Sequence, residues 1–401
     1  KFYSNFSHPV LSHATLKASY SLTADRGPAF VTNSQTILNS YSPWRPSASV
    51  TESGMRITEL ENSELTYEKK HEFNVGVDLG FLHNRINLAA DYYRRNNFDL
   101  IGVINTQGAG GTIAKYANIA SMRSSGIELT LSTQNIKKKG FSWNTDFIFS
   151  KTKNEITDLK SHANVLDLIS GNGFGREGYP VRALFSIPFA GLTEDGLPTF
   201  INQDGQRTIS TLNFQEYEKL GFLKYEGPTD PTITGSFGNI LTYKNFKLNV
   251  FLTYSFGNVI RLDPVFSSAY SDLDAMPKEF KNRWMKAGDE NTTNIPTIVS
   301  YRMNQQYAYL NMAYNAYNYS DVRIADGGFI RLKEISLSYD LPAKVLNFFR
   351  LNKLQFKIQA TNLFLLYADS KLNGQDPEFF RSGGVSTPVP RQFTFTIRLG
   401  L

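Results

Sequence analysis

Gln392-Phe393-Thr394-Phe395-Thr396-Ile397-Arg398-Leu399-Gly400-Leu401 closes the chain, and its side chains fall into two sets. Phe393, Phe395, Ile397, Leu399 and Leu401 take one face of an extended backbone; Gln392, Thr394, Thr396, Arg398 and Gly400 take the other, because successive Cβ atoms of a strand point to opposite sides. The same period of two recurs upstream. Phe73, Val75, Val77, Leu79 and Phe81 oppose Glu72, Asn74, Gly76, Asp78 and Gly80, and Ile127, Leu129 and Leu131 oppose Glu128, Thr130 and Ser132. It appears again over 86–92, 141–149, 246–256 and 354–360. Over 330–341 the apolar register passes from even to odd positions near Lys333-Glu334, which predicts a β-bulge there. A helix is expected only over 277–287, with Pro277 at its start, Gly288 past its end, and Phe280 and Trp284 four residues apart. The chain reads as all-β.

Connection lengths alternate. His83-Asn84-Arg85, the stretch 136–140 with its three lysines, and Lys244-Asn245 are tight and basic, and 343–352 is fairly short. Between them lie long polar or glycine-rich stretches, roughly 25–64, 97–115, 156–179, 261–326 and 367–390. A membrane β-barrel has this rhythm, with short periplasmic turns and long outer loops. If the short turns are periplasmic, segments 181–190 and 235–243 both run inward, so a strand running outward is expected between them over 197–209. The expected count is about 12 antiparallel transmembrane strands, the first near 14–24, and it is even, as closure requires.

A water-soluble sandwich also alternates, because one face packs on a core and the other meets water. Three features favour the membrane. Several strands reach nine or more alternating residues, enough to cross a bilayer when tilted. Aromatics, among them 30 Phe and 21 Tyr in 401 residues, gather at strand ends (Tyr92-Tyr93, Phe141 with Trp143, Tyr254 with Phe256) like interfacial girdles. The chain also ends on an apolar strand with no polar tail. No apolar run is long enough for a transmembrane helix. Lys1–Pro9 lack the apolar core of an export signal, which fits a chain that stays inside the cell or one that begins downstream of such a signal.

Signals for chemistry are sparse. There is no cysteine, hence no disulfide, thiol nucleophile or Cys-ligated zinc. His8, His13, His71, His83 and His162 are scattered and form no metal-binding cluster. Gly171-Asn172-Gly173-Phe174-Gly175 lacks the strand and helix that frame a phosphate loop, and reads as an outer loop. Asp195-Gly196 and Asp204-Gly205 are turn dipeptides. A net charge of +6 with many aromatics is also the signature of single-strand nucleic-acid binding, but here the rings occupy the apolar side of strands, where lipid accounts for them. No enzyme, cofactor or nucleic-acid partner is expected. The exception in composition is 301–319, where Tyr301, Tyr307, Tyr309, Tyr314, Tyr317 and Tyr319 are interspersed with Asn and Gln. Stacking rings beside amides suit contact with a sugar, a peptide or a lid protein; packing of the loop on itself is the plainer alternative.

Five stretches, in order along the chain, resemble the C-terminal half of SusC/RagA-type TonB-dependent outer-membrane transporters of Bacteroidota. Residues 118–128, Asn-Ile-Ala-Ser-Met-Arg-Ser-Ser-Gly-Ile-Glu, are similar to that family's NIGxMxNxGxE strand, with Ala120 and Ser124 in place of the usual Gly and Asn. Gly178-Tyr179-Pro180, then Ala190-Gly191-Leu192 and Asn202-Gln203-Asp204-Gly205, are similar to its GYP and NxDG run. Phe329-Ile330-Arg331-Leu332-Lys333-Glu334-Ile335 with Tyr339 and Leu341-Pro342, then Thr361-Asn362-Leu363-Phe364 with Asp376-Pro377-Glu378, and finally Pro390-Arg391, complete the match. The terminal Leu401 stands where such barrels usually carry an aromatic. The resemblance implies a 22-stranded plugged barrel in the outer membrane, of which residues 1–401 would be strands 11–22, with plug, TonB box and ten strands upstream of Lys1. It also implies 261–326 as a long extracellular loop holding the short helix. The function implied is import of oligomeric glycans or peptides, with a SusD-like lipoprotein as lid, TonB as motor acting on the absent N-terminal segment, and outer-membrane lipid around the wall. Two other readings remain at this stage: a passive 12-stranded porin, and a SusC-like barrel kept as scaffold of a larger assembly.

Overall fold

The structure, a computed structural model, describes residues 10–27, 35–44, 52–59, 61–105, 108, 114–265, 277–307, 310–380 and 390–400. Ten of its strands form one antiparallel sheet in chain order: β1 (Leu11–Asp25), β2 (Glu68–Phe81), β3 (Ile86–Asn105), β4 (Ala114–Lys138), β5 (Phe141–Leu159), β6 (Ile233–Tyr243), β7 (Phe246–Phe256), β8 (Phe329–Asp340), β9 (Lys353–Ala368) and β10 (Gln392–Gly400). Each pairs only with its neighbours in this order, so the sheet is a meander whose eight inner strands satisfy their backbone groups on both sides, as strands of a membrane wall must.

Register turns the alternation of single strands into continuous bands. Ala14, Leu79, Leu88, Leu131, Phe147, Phe237, Leu252, Leu332 and Phe364 stand opposite one another in turn across nine strands. Nearer the short turns, Trp143, Leu241, Leu248, Leu337, Ile358 and Phe395 form a second row. At the turns themselves Phe141, Tyr243, Phe246, Tyr339 and Phe356 form an aromatic one, in which the rings of Phe246 and Tyr339 lie 4.6 Å apart. Many of these side chains stay open on the sheet surface, among them Phe237, Leu337, Ile358, Phe364 and Phe395. Among the described residues no buried core cluster takes them up, and hydrocarbon is the environment that fits.

The bulge expected near Lys333 is present. Phe251 faces Glu334 and Leu252 faces Leu332, which leaves Lys333 unopposed on that side. On the other side Leu332 faces Phe364 and Glu334 faces Thr361, and Asn362 takes a left-handed backbone with φ 54°. The extra residue keeps Ile330 and Leu332 on the same face as Ile335, Leu337 and Tyr339, which a regular strand could not do.

The wall holds ten strands among the described residues, not the expected 12. Residues 181–190 and 197–209 are extended but lie outside it. They form short pairings, Ala183–Ser186 with Lys224–Pro228 and Phe189–Leu192 with Pro198–Ile201 and Arg207–Thr208. Four-residue strands are too short to cross a bilayer, and Ala183, Leu184, Phe185, Ser186 and Ile187 are buried without alternation, as in a soluble core. Parity allowed either outcome, since zero and two extra strands both let β6 run inward.

These pieces belong to a lobe built from two connections at the end of the sheet opposite the short turns: 160–232 between β5 and β6, and 257–328 between β7 and β8. Its core unites Leu168, Phe185, Leu197 and Phe200 of the first with Phe280, Leu310, Ala313 and Tyr317 of the second. The second connection differs from expectation in its helices. Over 277–287 only a 3-10 turn forms, Lys278–Asn282, because Arg283 is extended and the Trp284 amide bonds to the Ile295 carbonyl at 2.9 Å. Helices appear instead at α2 (Tyr301–Gln306), capped by the Ser300 side chain, and α3 (Leu310–Asn318). Two more stand elsewhere, α1 (Val165–Ile169) in the first connection and α4 (Ala343–Phe349) in the turn between β8 and β9.

Candidate functional site

The sheet face opposite the apolar rows carries a series of charged pairs. Lys17 pairs with Asp78, Glu72 with Lys70 at 2.8 Å and Arg95 at 3.0 Å, and Glu334 with Lys357 at 3.6 Å. Asn249 and Ser336 donate to the same Glu334 carboxylate at 3.2 and 3.0 Å. Near the short turns this face holds a hollow of about 210 Å³ whose lining includes Lys247, Asn249, Ser336, Lys357 and Arg398. Donors and acceptors along the whole face make a surface that water and polar chains wet.

Within the lobe, two buried guanidinium groups tie its segments together. Arg261, 1% exposed, donates to the carbonyls of Phe185 (2.6 Å) and Ser320 (3.1 Å) and to Ser186 Oγ (3.0 Å). Arg323, 2% exposed, reaches Glu279 Oε1 at 2.6 Å and the Asp263 carbonyl at 2.7 Å. A third, Arg331 on the polar face of β8, grips both oxygens of Asp376 at 2.5 and 2.6 Å and Glu378 at 3.2 Å. It thereby pins the loop after β9 to the inside of the wall. Burial pushes the Glu226 carboxyl above its ordinary range, and the like charge of Asp321 adds to this against Lys224. Burial pulls the Lys224 ammonium down, but Glu226 and Asp321 outweigh it and leave the group raised.

The tyrosine-rich stretch divides. Tyr314 and Tyr317 are buried in the lobe core, Tyr314 donating to the Thr297 carbonyl at 2.8 Å. Burial drives the Tyr317 hydroxyl up to about 12, against the opposing pull of Arg323. Tyr319 packs on the core with the Arg261 guanidinium 5.7 Å from its ring. Tyr301 is open to solvent, and Tyr307 donates to Asp195 Oδ2 at 3.2 Å. Tyr309 lies outside the described residues. Of the five described tyrosines, Tyr301 is exposed, Tyr307 and Tyr319 are half-buried, and Tyr314 and Tyr317 are buried. Both turn dipeptides are turns: the Gly196 and Gly205 amides bond back to Thr193 and Asn202, each glycine at φ 75°. Beside Asp195 the lobe carries an open hollow of about 760 Å³ lined in part by Thr193, Glu194, Thr199, Arg207, Ser210 and Glu290. The hollow is open and its lining mixes these polar groups with Leu192 and Ile209. Among the described residues no group of three or more His, Asp or Glu is arranged to hold a metal ion.

A long antiparallel meander, greasy on one side and charged on the other, with tight turns at one end and folded loops at the other, is the wall of a transmembrane β-barrel of the outer-membrane type. The solved RagAB peptide transporter has this fold: it superposes with a TM-score of 0.76 at 22% identity, over 98% of this chain and 41% of that one. By sequence the chain is 26% identical over 363 residues to the TonB-dependent receptor SusC of Bacteroides thetaiotaomicron, covering 85% of this chain. It is 25% identical over 348 residues to TonB-dependent receptor P3 of Formosa agariphila, covering 81% of this chain. The chain is therefore a homologue of SusC/RagA-type TonB-dependent receptors, as its motifs imply. It spans 32% of the length of each of these two relatives. No family model matches it.

The lobe core and the Arg331–Asp376 clamp went unread in sequence. Leu310, Ala313, Tyr314 and Tyr317 repeat at helical spacing and would have signalled α3. The clamp joins residues 45 apart in the chain, and no local pattern marks it.

Proposed function

We propose that the chain forms part of the barrel of an outer-membrane, SusC-like TonB-dependent importer of oligomeric nutrients, peptides or glycans. The observation that carries this reading is the two-faced ten-stranded wall with an ordered lobe above its long-loop end, in a homologue of SusC. The polar face lines the conduit. The lobe, with Tyr301, Tyr307 and the neighbouring hollow, meets the substrate or a SusD-like lipoprotein lid. The relatives are about three times longer, and the remainder of the barrel, a plug and a TonB-contacting segment are assigned to the rest of the protein. No residue is assigned a catalytic role. RagAB, a peptide transporter, makes oligopeptides the first substrate to try.

The test is uptake by intact cells carrying or lacking the gene, with fluorescent oligopeptides and oligosaccharides offered in parallel. Uptake of one class that requires the gene and stops with a protonophore is expected. Gene-dependent uptake indifferent to the protonophore would instead indicate a passive pore, and no gene-dependent uptake of either class would leave a scaffold role.

A further inference from the structure

On the lipid-facing side of β3, β4 and β5 the apolar band ends in a group of cations. Tyr92, Ile127 and Lys151 stand opposite one another on these strands; one step further out come Arg94, Ser125 and Lys153, and one step beyond, Asn96, Arg123 and Glu155. All lie on the same face as Leu88, Leu131 and Phe147 of the apolar row. Lys153 is 13 residues past the turn at Gly140, and Arg123 is 17 before it. A strand tilted about 40° climbs roughly 2.5 Å per residue, so both stand above an apolar band about 25 Å tall. Arg94, nine residues beyond Arg85, reaches its upper edge.

These charges are poorly neutralised by the protein. Arg94 and Lys151 make no ion pair or hydrogen bond among the described residues. Among the described residues the Arg123 side chain has one long contact, to Asn96 Oδ1 at 3.4 Å, and Lys153 reaches only Glu155, at 3.7 Å. Among the described residues four cations therefore share one carboxylate, a net of +3 on adjacent strands, where like charges repel. Tyr92, Arg94, Arg123, Ser125, Lys153 and Glu155 enclose a hollow of about 220 Å³. An anion seated there would relieve the repulsion, and at this height on the outward face the neighbouring anions are lipid headgroups.

We propose that this hollow binds the phosphate of an outer-leaflet glycolipid of the lipid A type. Arg94, Arg123 and Lys153 grip the phosphate, Ser125 donates to it, Tyr92 packs on the sugar, and Ile127 and Phe149 below receive an acyl chain. The assignment rests on the outer-membrane reading above and adds a specific lipid site to it. The experiment uses the intact protein purified in detergent, with native mass spectrometry during titration by phosphorylated lipid A. Compared with wild type are Arg94→Gln/Arg123→Gln/Lys153→Gln and, as a control, Lys247→Gln/Lys357→Gln/Arg398→Gln, the same loss of charge on the opposite face. The outward triple variant is expected to bind lipid A about 100-fold more weakly and the control as wild type does. Lipid A stripped of phosphate should bind wild type as weakly as lipid A binds the triple variant, and millimolar inorganic phosphate should not displace it. Heat-modifiable migration on gels checks folding; if the triple variant fails that check, Lys153→Glu alone is expected to weaken binding by at least roughly tenfold. Equal binding by wild type and a folded outward variant overturns the site, and displacement by inorganic phosphate overturns its lipid source. Absence of the wild-type protein from the outer-membrane fraction overturns the membrane reading itself.

Discussion

Val250 and Asn249 are neighbours on β7 at nearly the same height, and they separate the two faces of the wall. Val250 lies in the row Thr145, Asn239, Val250, Ile335 and Ala360 on the apolar side, while Asn249 points to the polar side beside Glu334. Val250 is five residues from the turn at Asn245, or roughly 12 Å up a tilted strand, close to the middle of the apolar band. An arginine there has hydrocarbon on its exposed side and no carboxylate within reach. Val250→Arg is expected to destabilise the folded protein by about 2–4 kcal/mol. Asn249→Arg places the same charge against Glu334 in a wet conduit and should cost about 1 kcal/mol or less. Urea unfolding of the intact protein in phospholipid vesicles, followed by tryptophan fluorescence, measures both. Equal losses, or a larger loss for Asn249→Arg, would refute the assignment of faces, and with it the barrel.

Two further outcomes follow from the buried contacts. Asp376→Ala strips the 4%-exposed Arg331 of its closest partner and leaves only Glu378; a cost of about 3 kcal/mol should speed amide exchange across 369–380 by about 100-fold, with Arg331→Met/Asp376→Leu restoring much of the protection. Tyr317, raised to about 12 from an ordinary 10, stays neutral in the folded lobe while the unfolded chain ionises. Its stabilising share is therefore complete below pH 10 and is lost between pH 10 and about 12, and near-ultraviolet circular dichroism should show this alkaline loss shrinking in Tyr317→Phe.

Where a residue's fate is decided by its immediate neighbours, the sequence could be read directly. The alternation of Phe393 through Leu399 predicts a strand whatever surrounds it, and the parity change at Lys333 predicts a bulge because only an extra residue reconciles the two halves. Ala183 to Ile187 has the residue types of a strand too, yet whether it crosses lipid or lies in a water-soluble core depends on Leu310 and Tyr317, more than a hundred residues away. Hydrophobicity says that such a segment is buried, not in what. The tyrosines show the same ambiguity. Composition brought six together, but helical phase sent Tyr314 and Tyr317 inward and left Tyr301 out. The lipid-side cations were visible as letters; their grouping required the pairing of Arg94 with Ser125 and of Ser125 with Lys153.

The two connections that make up the lobe flank a single hairpin, β6 and β7, and share one core, with Ile187 of the first bridging to Ser320 of the second. Transplanting one of them between homologues would strip its companion of an inner surface. Recombination between homologues therefore has to move the block from 160 to 328 as one cassette, wall hairpin included. A chimera cut inside that block should misassemble even when every exposed residue has been chosen well.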